Sequence, residues 1–130
     1  MKEMVYQKEP KREILFQGEY NGLKFAILSL GTHPVAYVEC KIKTITSYRD
    51  PRLEELEVHG GFTYFGRGYW NEKDFSLYLG WDYMHFLDYK GYFTENDPLN
   101  LCTQKWTTAE IYEEVKSVIE QLSQLKKKRG

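Results

Sequence analysis

The chain has 130 residues, 42% of them hydrophobic, and a formal net charge of −1, which fits one domain with a single core and leaves no room for two. Near-neutral charge provides no field to draw it onto nucleic acid or an anionic membrane, so no nucleic-acid partner is expected. No apolar run reaches the length of a membrane span, and residues 1–10 carry charges where a signal peptide needs an apolar stretch, so a cytoplasmic protein is expected.

Residues 1–12 are polar and read as a loose N-terminal arm, with a single α+β domain expected over 13–127. Residues 13–20 and 23–30 are runs of strand formers separated by Asn21-Gly22. That pair suits a type I′ turn, whose two central residues both need positive φ, so a β-hairpin is expected at the start of the fold. In the second run Phe25 and Ile27 alternate with Ala26 and Leu28. A strand apolar on both faces belongs in the middle of a sheet covered on both sides.

Pro34 breaks the pattern after Thr32-His33, and residues 35–42 read as a third strand. Residues 44–57 are polar and contain Asp50-Pro51, which predicts a long loop with a helical turn near Arg52. Two more strands are expected at 58–65 and 75–81, separated by the turn Gly66-Arg67-Gly68, and residues 89–105 read as connection. The spacing therefore predicts an antiparallel sheet of about five strands packed by one long C-terminal amphipathic helix.

That helix has the clearest signature. Thr107-Thr108-Ala109-Glu110 is a capping box, with Trp106 and Ile111 placed as a hydrophobic staple. Ile111, Val115, Val118, Ile119, Leu122 and Leu125 form one stripe at helical spacing, from which Glu113, Glu114, Lys116 and Gln121 fall away. The terminal run Lys126-Lys127-Lys128-Arg129 meets the negative end of the helix dipole. Cys40 and Cys102 lack metal-type spacing and read as reduced thiols, Cys40 in a strand and Cys102 in a loop.

The chemistry concentrates in the middle of the chain, where 13 of the 21 aromatic residues lie between Phe62 and Phe93. Trp70, beside Asn71 at a turn, is expected to be an exposed aromatic anchor. Two blocks stand out, His59-Gly60-Gly61-Phe62-Thr63-Tyr64 and Gly80-Trp81-Asp82-Tyr83-Met84-His85-Phe86-Leu87-Asp88. An acid or imidazole buried among aromatics without a partner costs roughly 1–3 kcal/mol, so such groups are partnered or sit at a strand end. His59, Asp82, His85 and Asp88 are the catalytic candidates, as acid–base groups and their orienters. The same four form an N/O set that can take a divalent metal, a reading not favoured over a structural Asp–His network. Gly60 and Gly61 can let backbone N–H groups approach an anion, with Thr63 adding a hydroxyl and Arg67 a charge. His33, in the turn Thr32-His33-Pro34, joins these four as a ligand-binding candidate.

The two blocks, with Tyr20-Asn21-Gly22 and Thr32-His33-Pro34 followed by Ala36-Tyr37-Val38, resemble a family of small uncharacterised bacterial and phage proteins. Its members carry an H-G-G-[aliphatic]-T-[Y/F] block, then G-[F/W]-D-x-x-H-x-x-D, then a C-terminal helix. The likeness runs from residue 13 to about 125, with departures at Phe62, Tyr83 and Phe86, where bulkier side chains can narrow a site. It implies the fold and the positions His59, Thr63, Asp82, His85 and Asp88, and implies no activity. Two function classes follow as expectations. One is a ligand-binding protein or hydrolase for a nucleotide-like phosphorylated compound. The other is a non-catalytic factor that binds a host protein through its aromatic surface.

Overall fold

The computed structural model describes residues 13–30, 33–83 and 106–128, with side chains through residue 125. Five strands, β1 (Glu13–Tyr20), β2 (Leu23–Ser29), β3 (Pro34–Glu39), β4 (Tyr64–Arg67) and β5 (Leu77–Asp82), form one antiparallel sheet in the order β1-β2-β3-β5-β4. A short α1 (Pro51–Glu54) follows β3, and α2 (Thr108–Lys128) closes the fold. No helix among the described residues is long and apolar enough to cross a membrane.

The hairpin forms as its turn chemistry requires, with Asn21 at φ 54° and Gly22 at φ 86°. Alternation then sorts the central strands onto two faces. Phe25, Ile27, Ala36, Val38, Leu79 and Trp81 face one cluster with the helix residues Ile111, Val115, Val118, Ile119 and Leu122. Ala26, Leu28, Val35, Tyr37 and Tyr78 face a second cluster on the other side. The central strands β2, β3 and β5 are thus buried on both faces, as the double apolar pattern of β2 demands.

Several boundaries differ from the sequence reading, and β5 runs Leu77–Asp82 where 75–81 was expected. The strand expected at 58–65 begins only at Tyr64, because Gly60 (φ 71°) and Gly61 (φ 80°) turn the chain and Gly61 N–H bonds Val58 O at 2.9 Å. Gly66 and Arg67 belong to β4, and the turn begins at Gly68, whose carbonyl accepts from Asn71 N–H. β3 ends at Glu39, so Cys40 lies one residue past the strand, although its N–H still bonds Leu77 O at 2.8 Å.

Trp70 is a correction of a different kind. It is half-buried, its ring 4.5 Å from Tyr37 and 4.9 Å from Tyr78, and it covers the second cluster. Gly68 makes this possible, since a Cβ there would come within 2.9 Å of the indole. The most exposed aromatic described in this region is Phe75, at 75% exposure, with the Arg67 guanidinium 4.2 Å from its ring centre.

The segment between β3 and β4 is held by polar ties. Asp50 caps α1 by accepting Arg52 N–H, and its carboxylate also takes the Arg52 guanidinium, which reaches on to Thr44. Gln121 of α2 then clasps Glu57, donating to its carbonyl and accepting from its N–H. These ties set residues 57–63 against the helix, where the first sequence block begins.

Candidate functional site

Topology brings His33, His59, Thr63 and Asp82 to one end of the sheet. β3 begins there, β5 ends there, and the loop into β4 arrives there. The Asp82–Val35 pairing and the Tyr83 N–H to Pro34 O bond (3.1 Å) set the start of β3 beside the end of β5. His33 immediately precedes Pro34, half-buried, with its carbonyl accepting from Leu30 N–H at 3.0 Å. Thr63 N–H bonds Gly80 O at 2.8 Å, which seats the first block against the second.

The two blocks meet on both faces of β5. On the helix side, the His59 ring stacks on Tyr83 with centroids 4.7 Å apart and meets Trp106 edge-on at 5.0 Å. Phe62 packs on Trp81 on the same side. The Tyr83 hydroxyl accepts from Trp81 Nε1 at 2.9 Å and donates to Glu114 Oε1. Glu114 Oε2 accepts the backbone N–H of His59 at 2.6 Å. Tyr83 is fully buried, so its hydroxyl needs this pairing, and Glu114 supplies it from the helix.

Asp82 leaves the opposite face of β5, because it pairs with Val35 of the second cluster while Trp81 and Tyr83 point to the helix. It is half-buried, with Oδ2 3.5 Å from the Thr63 hydroxyl. His59 and Asp82 are therefore brought to one end of the sheet but not to one face. Gly60 and Gly61 are exposed in the loop between them, and Gly61 N–H is committed to Val58 O. Arg67 lies four residues on, over Phe75, with Nη2 bonded to Glu72 O at 3.0 Å. His85 and Asp88 lie outside the described residues, as do Cys102, the N-terminal arm and the connection at 89–105. Among the described residues no three His, Cys, Asp or Glu side chains gather as a metal-binding group.

Sequence reasoning missed Glu114. It falls off the apolar stripe of α2 and reads as solvated, yet it is half-buried and holds two partners. The available signal was its spacing: Glu114 and Gln121 are seven apart, hence on one side of the helix, and both grip residues 57–59. A second polar network was also missed. Lys24 Nζ meets both Asp74 oxygens at 3.1 Å, and Asp74 accepts from the Tyr78 hydroxyl and Ser76 N–H. The Tyr78 hydroxyl, Ser76 and Lys24 together hold the Asp74 carboxyl well below the usual carboxylate range. Burial, then the Asp74 contact, pushes the Tyr78 phenol up.

The fold and this arrangement define a small α+β protein with its candidate site at a sheet end. Compared with protein-family models, with curated proteins and with solved structures, the chain matches none.

Proposed function

We propose that this protein binds a small ligand rich in hydroxyl or amino donors at the sheet end where Thr63 meets Asp82 and His33 leads into β3. The observation that carries the reading is the Thr63–Asp82 contact, which joins the two sequence blocks across 19 positions in the chain. A carboxylate and a hydroxyl side by side, one only half-buried and the other exposed, suit recognition of a diol or an amine. The exposed Gly60-Gly61 loop leaves room for a ligand to approach the backbone.

Binding is favoured over hydrolysis because His59 and Asp82 leave opposite faces, which separates the imidazole from the acid it would need as an orienter. A polyol such as a ribose is favoured over a phosphate as the part recognised. Asp82 repels an anion, and the Arg67 guanidinium is turned to Phe75 and Glu72. The test is a thermal-shift screen of ribonucleosides, free sugars and amines on the full chain. A compound that raises the melting temperature of the wild type, but not of Asp82→Asn or Thr63→Val, supports the reading. A screen with no such compound removes it.

One observation favours the second reading, a non-catalytic factor that binds a host protein. Ile14, Leu15 and Phe16 are 40–42% exposed on β1, an edge strand whose one strand neighbour among the described residues is β2. The matching partner is an extended segment that adds a strand to this edge. Leu15 is the extra residue of a β-bulge, however, and Glu13 and Glu19 flank it, devices that discourage edge pairing. A partner captured by the wild type and lost with Leu15→Lys would support this reading over the first.

A further inference from the structure

The opposite end of the sheet holds a cavity that neither sequence block touches. β2 and β3 stop pairing at Phe25–Val38, and the two strands part beyond it. Lys24 N–H, which in a continued ladder would find a β3 carbonyl, donates instead to Glu39 Oε1 at 3.0 Å. β3's own chain stays with β5, as the Cys40 N–H to Leu77 O bond shows, so a wedge opens between the hairpin turn and residues 39–42. The wedge has a volume of about 430 Å³ and is lined by Leu23, Ile42 and Leu122 as apolar walls, with Gly22, Glu39 and Cys40. Lys41 Nζ bonds Gly22 O at 3.0 Å and ties the two sides of the mouth together.

Glu39 is the feature that gives this wedge a chemistry. It is 6% exposed, and Oε2 has no hydrogen-bond partner among the described residues. A buried carboxylate with a spare oxygen is costly unless a donor reaches it. An apolar-walled cavity with a few polar groups, here Glu39 with Asn21, Lys41 and Ser123 at its rim, is also the usual form of a small-molecule site. Cys40 adds an internal reporter. Its thiol is free and buried, and desolvation pushes its pKa up, so it stays a slow nucleophile near neutral pH.

We propose that this wedge is a second ligand site, for a small compound with an apolar body and a protonated amine that donates to Glu39. The site is independent of the one at the other end of the sheet, and each can fail without the other.

Benzylamine is the probe, because it joins the two features in the smallest form, and benzoate is the control of opposite charge. In an amide NMR titration of the full chain, benzylamine should saturably shift the resonances of Gly22, Lys24 and Cys40, and benzoate should not. Glu39→Gln still offers an oxygen to Lys24 N–H, and it should weaken binding about tenfold, the loss of one charge-assisted bond. Leu122→Phe should fill the wedge and abolish the shifts. Saturating benzylamine should also slow alkylation of Cys40 in the wild type, a measurement that holds even if a variant fails to fold. Equal shifts with benzoate, shifts scattered away from the wedge, or an unchanged alkylation rate would overturn the proposal.

Discussion

Gly80 shows how much a single position decides in this sheet. It pairs with Tyr37 across β3 and β5, and a Cβ on it would lie 2.5 Å from the Tyr37 ring. The ring lies over the glycine, and it also meets Tyr64, Tyr69 and Trp70. Gly80→Ala should therefore cost about 1–3 kcal/mol in a denaturant melt by overpacking. Asp74 makes a prediction about acid. Its folded pKa is depressed, so it contributes stability that is present above its unfolded value and lost as pH falls below about 4. Wild type and Asp74→Asn should differ in melting temperature at pH 7 and converge below that point. Gly80 was visible in the sequence only as part of a block, because the ring that needs it comes from a strand 43 positions earlier. Asp74 was legible only as one more polar residue in a turn, since its partner Lys24 is 50 positions away.

At the scale of elements, local chemistry was readable wherever it stayed local. Thr107 N–H donates to Glu110 Oε1 at 2.9 Å and Glu110 N–H to Thr107 Oγ1 at 3.1 Å, the reciprocal pair the spacing predicts. Thr107→Ala should cost about 0.5–2 kcal/mol, and Val118→Ala, deeper in the same helix, about 1–3 kcal/mol. Chemical denaturation of the two variants checks both, and an unchanged midpoint for Val118→Ala would mean that α2 is not docked as described. The hairpin was equally legible from Asn21-Gly22. β4 was not, because a run of strand formers around Gly60-Gly61 has the right composition while both glycines take the left-handed conformation that ends a ladder. The same limit applies to Trp70. A tryptophan beside a turn reads as exposed until the fold brings a second apolar face underneath it.

The described residues form a sheet whose central strands are buried on both faces, with a different chemistry at each end. One end gathers the first sequence block and the described part of the second, and the other opens as the wedge around Glu39. Sequence could place His59, Thr63 and Asp82 in blocks, and it left open whether the blocks meet in space. It could not assign them to faces, because that depends on the pairing of Asp82 with Val35 and on the seating of His59 over Tyr83. The division is the central claim: the imidazole belongs to the packing between sheet and helix, and the carboxylate belongs to the proposed ligand site. The most direct test compares His59→Ala and Asp82→Asn side by side, for melting temperature and for ligand-induced shift. The division predicts that His59→Ala loses about 1–3 kcal/mol of stability, because its ring packs on Tyr83 and Trp106, and still responds to ligand. It predicts that Asp82→Asn melts close to the wild type and no longer responds. The reverse pattern, a stable His59→Ala blind to ligand beside an unstable Asp82→Asn, would contradict it.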